Sequence, residues 1–334
     1  MKSIFHARLI NDPFYDPVLF IRFLYKNRVI LFDLGDISSL PAKEILKISH
    51  VFVSHTHMDH FIGFDILLRI LLGREKKLYI YGPKDFLKNI EGKLSGYTWN
   101  LVSEYVTDFR IIATEIQKDK IIKKEYPCNK KFIPLRETYS YFNEIIIKEP
   151  NFYIKTVILD HKIPCLGFSL IENFHVNINK QKLKELDLPV GPWLNRFKNE
   201  IYKDKNSDRE FCVTWEEKGM VTKKEKISFQ KLLKEIAIIS PGQKITYITD
   251  IVGNEQNINK VVEFAKNSDI LFIESTFLDK DKELAIKKSH LTAKQAGMIA
   301  RMAKAKKIVV FHFSPRYYEN PDELKKEAMA EFNK

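Results

Sequence analysis

Short apolar runs that end in polar residues alternate along most of the chain with longer amphipathic stretches, and this alternation predicts strands interleaved with helices, an α/β class. Residues 18 to 33, VLFIRFLYKNRVILFD, read as two strands around a Lys26-Asn27 turn, and HVFVS at 50 to 54 as a short β-rich run. FIGFDILLRILLG from Phe61 predicts a helix closed by Gly73, and KLYIYG at 77 to 82 a strand stopped by Pro83. YIKTVILD at 153 to 160 and CLGFSLIE at 165 to 172 resemble paired strands, whereas residues 97 to 148, with Lys-rich turns around 118 to 131, show no decisive period. Regular alternation returns with the strand KITYITD at 244 to 250, the helix NINKVVEFAKN, the strand DILFIEST at 269 to 276, the helix TAKQAGMIARMAKA, the strand KIVVFHF at 307 to 313 and a charged helix from Pro321.

One stretch breaks the pattern. Residues 175 to 235 are dense in Lys, Asn and Asp and read as an insertion into a single domain spanning 1 to 334. The 334 residues are 45% hydrophobic and 29% charged, which excludes disordered and fibrous classes. Lys and Arg outnumber Asp and Glu by 55 to 43, a net charge of +12 that favours an anionic partner, although Lys-rich thermophile chains show the same balance. Cys128, Cys165 and Cys212 are too few and too far apart for a disulfide framework or a thiolate zinc site, which fits a reducing, cytoplasmic setting. The opening MKSIFHARLINDPF has no apolar core before a cleavage signal, and no apolar run is long enough to span a bilayer, so no membrane partner is expected.

The sharpest chemistry lies in Ser54-His55-Thr56-His57-Met58-Asp59-His60, at the mouth of a strand. In extended chain His55 and His57 point the same way, while Asp59 and His60 fall on the turn opening the next helix, so the four can converge on two adjacent metal positions. Nitrogen and carboxylate donors without Cys suit an open catalytic site for zinc or a similar divalent ion. His161, Asp250 and His312 add donors where apolar runs meet loops. Singly each is more often a structural histidine or a turn aspartate. Together, His55, His57 and His161 can hold one ion and Asp59, His60 and His312 another, with Asp250 bridging. Two cations about 3.5–4 Å apart lower the pKa of a shared water and clamp an in-line displacement at phosphorus.

HTHMDH, LDHKIPCLGF, YITD, DILFIESTF, SHLTAKQAG and FHFSPRY stand in the order seen in the metallo-β-lactamase fold. From about residue 29 to 320 the chain resembles the ribonuclease Z branch of that superfamily (tRNase Z, tRNA 3′-end processing endonuclease). The resemblance implies an αβ/βα sandwich of two mixed sheets with flanking helices and two divalent ions, most simply Zn2+, with Mn2+ or Mg2+ as alternatives. Glu274 and Thr276 match the family's His-Glu-Ala-Thr element, and His290 and Thr292 its His-Ser-Thr element. The implied catalytic residues are Asp59, Glu274 and His290, with His290, oriented by Glu274, protonating the leaving 3′-oxygen. The plainer alternatives are an exposed strand end at Glu274 and, after His290, a capping box of Thr292 with Gln295.

The insertion falls where bacterial ribonuclease Z carries a flexible arm that grips the tRNA, and Leu188-Pro189-Val190-Gly191-Pro192-Trp193-Leu194 resembles the Gly-Pro element of that arm. Gly191, Pro192, Lys184, Arg196 and Lys198 are its candidate substrate contacts, alongside Lys182, Lys203 and Lys205; a solvated charged insertion is the alternative. Ser314 and Arg316 also match the family, and Arg316 could meet a phosphate. NDPFYDPVLF stands where the family has a Gly-Thr-Gly loop, YITD replaces Tyr-Ser-Gly-Asp, and Asp33 matches an aspartate that props the metal loop. The expected activity is cleavage of the 3′ trailer from precursor tRNA, a metal-bound hydroxide attacking and a tRNA 3′-hydroxyl remaining, by a homodimer. The competing expectations are a hydrolase of small esters or phosphodiesters on the same fold and a non-catalytic RNA-binding protein.

Overall fold

The computed structural model describes residues 4–24, 26–217 and 220–334. Met1, Lys2 and Ser3 of the opening stretch, Tyr25 beside the first turn, and Lys218 and Gly219 within the insertion lie outside them. In chain order the elements are β1 (Phe5–Leu9), β2 (Leu19–Phe23), β3 (Val29–Phe32), α1 (Ala42–Ile45), β4 (Ile48–Phe52), α2 (Met58–Phe61), α3 (Phe64–Leu71), β5 (Lys76–Gly82), α4 (Phe86–Ser95), β6 (Phe109–Ile116), β7 (Lys120–Pro127), β8 (Thr138–Tyr141) and β9 (Ile145–Lys148). Next come β10 (Phe152–Asp160), β11 (Pro164–Glu172), β12 (His175–Ile178), α5 (Lys180–Glu185), α6 (Trp193–Lys203), β13 (Glu210–Glu217), β14 (Met220–Ser228), α7 (Phe229–Ile236) and β15 (Ala237–Ser240). The chain closes with β16 (Lys244–Ile248), α8 (Glu255–Phe264), β17 (Ile270–Glu274), α9 (Lys282–Lys288), α10 (Ala293–Met302), β18 (Ile308–Phe311) and α11 (Pro321–Phe332).

Strands β1 to β8 form one sheet in sequence order, parallel from β3 to β6 and antiparallel outside that span. The second sheet runs β18-β17-β16-β11-β10-β9, with β16, β17 and β18 parallel. The stretch from 97 to 148, undecided by periodicity, holds the four strands β6 to β9. Its alternation is blurred because β6 is buried along nearly its whole length, whereas β8 is exposed at every residue. The helix read from Phe61 divides at Ile62-Gly63: α2 is one turn, and α3 buries Phe64, Leu67, Leu68 and Leu71 along one stripe before Gly73 ends it at φ 73°. Gly63 is required there, since a Cβ would come within 2.2 Å of the Gly35 carbonyl oxygen.

The chain divides into two compact units. The larger takes the chain up to Ile146, Lys155–Ser169 and Lys244–Lys334, and the smaller Ile147–Ile154 and Leu170–Gln243. The stretch 175–235 read as an insertion lies within the smaller unit, which has a core of its own, unlike the solvated charged insertion of the alternative reading. Along α6, Trp193, Phe197 and Ile201 recur at helical spacing and are buried with Phe211, Val213, Phe229, Leu232 and Ile236. The pairs β12–β15 and β13–β14 are antiparallel. Burying these apolar side chains, about 1.5–3 kcal/mol each, outweighs the charge of the exposed faces. No helix among the described residues is long and apolar enough to cross a membrane.

Candidate metal centre

Five strand ends carry the candidate donors. β4 runs into His55-Thr56-His57 and α2, β10 into His161, β16 into Asp250, β17 ends on Glu274, and β18 runs into His312. Loops at strand ends free side chains from the ladder while the sheet fixes their backbone. Gly35 permits one close approach: a Cβ there would lie 2.7 Å from both the Asp59 carbonyl and the Asp16 Cβ. Asp33 and His312 hold left-handed backbone, φ 59° and 61°, a conformation that side chains other than glycine adopt at a cost and that here turns each residue out of its strand.

The donor atoms gather in three overlapping groups. His55, His57, His161 and Asp250 each offer one atom within 4.8 Å of the others, and so do Asp59, His60, Asp250 and His312, which makes Asp250 common to both. Asp250 Oδ2 lies 3.7 Å from His55 Nε2, 3.4 Å from His60 Nε2 and 3.8 Å from His161 Nε2. His312 Nε2 is 3.2 Å from Asp59 Oδ2. Asp250, Glu274 and His290 with His312 form a third such group.

Second partners fix how the rings present their nitrogens. His60 Nδ1 donates to Asp33 Oδ2 at 2.8 Å and His161 Nδ1 to the Ser289 carbonyl at 2.9 Å, which leaves both Nε2 lone pairs facing Asp250. Asp33 also accepts from Ser54 N at 2.6 Å, Ser54 Oγ at 3.0 Å and Tyr247 Oη at 2.8 Å. Among the described residues, His55 Nε2 and His60 Nε2 are buried with no hydrogen-bond partner. Buried nitrogens left unpaired beside carboxylates are what a cation site requires and what a folded core otherwise avoids. The donor set of imidazoles and carboxylates therefore fits divalent metal.

Electrostatics agree. Burial presses His55 down to about 2 and also lowers His161, so both are neutral donors at physiological pH. Burial opposes ionisation of Asp59 and Asp250, but nearby histidines outweigh it and hold both well below the usual carboxylate range. His60 moves the other way: burial lowers it, and the charges of Asp250 and Asp33 lift it well above its ordinary value. A bound cation competes with that proton for Nε2.

His290 stands beside the clusters. Its Nδ1 is 3.0 Å from Glu274 Oε2, and Glu274 is held by Ile251 N on Oε1 at 2.8 Å and Thr276 Oγ1 on Oε2 at 2.6 Å. Burial would lower the imidazole, yet Glu274 and then Asp250 carry it up to about 9, so it is an acid at neutral pH. Glu274 itself is fully buried, which corrects the exposed-strand-end alternative.

The remaining candidates separate. Thr292 is fully buried and caps α10, its hydroxyl accepting from Gln295 N while Gln295 Oε1 accepts from Thr292 N; the capping box is formed, and this hydroxyl does not face solvent. Ser314 lines a cleft with Asp59, His290 and His312, whereas Arg316, though exposed, is not among its lining residues. In the smaller unit, Lys184 is exposed, Arg196 donates to Thr214 Oγ1 at 2.9 Å, and Lys198 is half-buried and lowered by that burial. Gly191 and Pro192 lead into α6, where Trp193 Nε1 donates to the Pro189 carbonyl at 2.8 Å. Sequence reasoning missed the support that Ser54, Tyr247 and the Ser289 carbonyl give the histidines. Tyr247 alternates like any core residue of β16, and a carbonyl carries no side-chain signal.

No protein-family model matches the chain. Ribonuclease Z of Deinococcus radiodurans is 28% identical over 294 residues, 87% of this chain and 83% of that protein. Ribonuclease Z of Nanoarchaeum equitans is 28% identical over 309 residues, 91% and 80% of the two chains. Among solved structures, the short form of human tRNase Z superposes with a TM-score of 0.52 at 18% identity, covering 93% of each chain. The metallo-β-lactamase fold protein YhfI of Bacillus subtilis gives 0.51 at 16%, covering 96% of this chain and 86% of that one. The chain has the metallo-β-lactamase fold, and its resemblance to ribonuclease Z extends well beyond the motifs.

Proposed function

We propose that this chain, similar over 91% of its length to the ribonuclease Z of Nanoarchaeum equitans, is a metal-dependent endoribonuclease that removes the 3′ trailer of precursor tRNA. The observation that carries the reading is a Glu274–His290 pair, the carboxylate buried and the imidazole partly so, set against two donor groups that share Asp250. A hydrolase of activated esters needs only the donor groups. An RNA 3′-oxygen is a poor leaving group and calls for a proton donor as well.

His55, His57 and His161 would hold one cation and Asp59, His60 and His312 a second, with Asp250 between them. Cations held there would acidify water and offset the charge of the phosphodiester. The chain's own residues do the rest. Glu274 fixes the His290 ring through Nδ1, so that Nε2 carries the proton the departing 3′-oxygen takes. Asp33 keeps His60 in one tautomer, the Ser289 carbonyl does the same for His161, and Cys165 lies buried beside His55.

Imidazole and carboxylate donors favour Zn2+, with Mn2+ or Mg2+ as alternatives. The family resemblance extends the reading to a cytoplasmic homodimer in which the smaller unit grips the tRNA body, with Lys184, Arg196 and Lys198 near phosphates and Gly191-Pro192 shaping the approach. Ser314 lies close to the reacting phosphate, and Arg316 contacts RNA farther out.

The test is incubation of purified protein with a defined trailer-bearing precursor, followed by mapping of both new ends. A tRNA 3′-hydroxyl and a trailer 5′-phosphate, formed only without chelator, are expected. Repeated failure on several such precursors, together with turnover of small esters, would replace this reading with its first competitor.

A further inference from the structure

The cleft beside the donor groups, about 350 Å3, is lined by Asp59, His290 and His312 and also by Tyr15 and Asp16 from the loop between β1 and β2. That loop is built to hold its shape. Asn11 Nδ2 donates to the carbonyls of Asp16 and Asp36 at 2.7 and 2.8 Å, and Phe313 N, one residue past His312, donates to the Pro13 carbonyl at 2.7 Å. Phe14 packs edge-on against Phe313, ring centroids 5.5 Å apart, and tilted against Tyr318 at 5.1 Å. The loop is thereby locked to the strand end that bears His312.

Tyr15 lines the wall of that cleft, with its hydroxyl paired to Tyr318. The residue is 58% exposed and stands in the same cleft as Asp59, His290 and His312. A flat aromatic face next to a site of phosphodiester chemistry is a platform for a nucleobase. Asp16, next in the chain and in the same cleft, is an acid that repels a phosphate, so this wall suits a base and leaves the backbone to Lys288 and His290.

We propose that Tyr15 is a specificity-determining residue whose ring stacks on the unpaired base of the nucleotide that contributes the leaving 3′-oxygen, holding that nucleotide beside His290. The proposal rests on the reading of the site as a precursor-tRNA endonuclease. It concerns this chain's own loop, NDPFYDP, and accounts for its aromatic composition.

Two measurements test it with the metal-loaded protein. Matured tRNA ending in 2-aminopurine reports stacking as quenched fluorescence: wild type and Tyr15→Phe should quench it, and Tyr15→Ala should not. Precursor with an abasic site at the same nucleotide should lose about tenfold in kcat/KM with wild type, the usual scale of one base–aromatic stack, and less than about twofold with Tyr15→Ala. Quenching that survives in Tyr15→Ala, or an abasic penalty equal in both proteins, overturns the proposal. If wild type leaves unmodified precursor intact, the reading of the reaction fails and takes the stacking with it; clean cleavage without these differences refutes the stacking alone.

Discussion

Asp33 and His60 share a hydrogen bond of 2.8 Å between two side chains with no exposed surface, and through it the end of β3 sets which nitrogen of His60 is free. The same carboxylate takes Tyr247 from the second sheet, so one residue ties both sheets to the candidate metal centre. Asp33→Asn replaces an acceptor with an amide that can turn its NH2 toward Nδ1. Metal affinity should fall about 10–100-fold, the usual cost of losing such a partner, with a loss of about 1–3 kcal/mol in stability. Metal titration alongside urea denaturation checks both, and unchanged affinity would mean that Asp33 does not set the ring.

His290→Ala should lower kcat on precursor tRNA by about 10²–10⁴-fold. A phosphodiester with a p-nitrophenolate leaving group needs no proton and should lose far less, with metal content unchanged. Equal losses on the two substrates would remove His290 from the role of acid.

Glu274→Gln tests the same pair by pH. Glu274 helps carry His290 up to about 9, so activity that needs the imidazolium is present below that value and declines as pH rises through it. Losing the carboxylate lowers the imidazole, and the decline should begin at lower pH. Bound cations displace both profiles in the same direction, so the difference between wild type and variant is the quantity to read.

Much of the centre was legible because the cue is local: three histidines and an aspartate within six positions have no place in an apolar core. Asp250 and His312 could be assigned because strands end where they stand. Tyr247 could not, since its hydroxyl meets Asp33 across 214 residues. In the smaller unit the Lys and Asn content masks the spacing of Trp193, Phe197 and Ile201, which already marks a buried stripe. The β6–β8 region failed for a different reason: a strand buried on both faces and a strand exposed on both carry no period-two signal.

His50, a β4 residue outside the donor groups, stacks on Tyr79 with ring centroids 4.7 Å apart. Burial, then Arg28, press it down to about 3. Between its ordinary value of 6.5 and about 3 the unfolded chain binds a proton that the folded chain refuses, so stability falls as pH falls through that window. His50→Phe keeps the stack and removes the proton. The urea midpoint of the variant should drop less than that of wild type between pH 7 and about 5, by the equivalent of about 1 kcal/mol once partial exposure is allowed for. Parallel losses would show that His50 is protonated without cost.

Lys184 is exposed, whereas Arg196 is engaged with Thr214 and Lys198 is half-buried. If the smaller unit grips phosphates, Lys184→Ala should weaken tRNA binding and reduce the salt slope by about 1. An unchanged slope in a salt titration would exclude that contact.

The most direct test is the metal stoichiometry of the reconstituted protein by native mass spectrometry. Two divalent ions per wild-type chain are predicted, falling in Asp250→Asn, where the shared carboxylate is lost. A wild-type chain that takes up none, folded and at saturating metal, would contradict the account at its root.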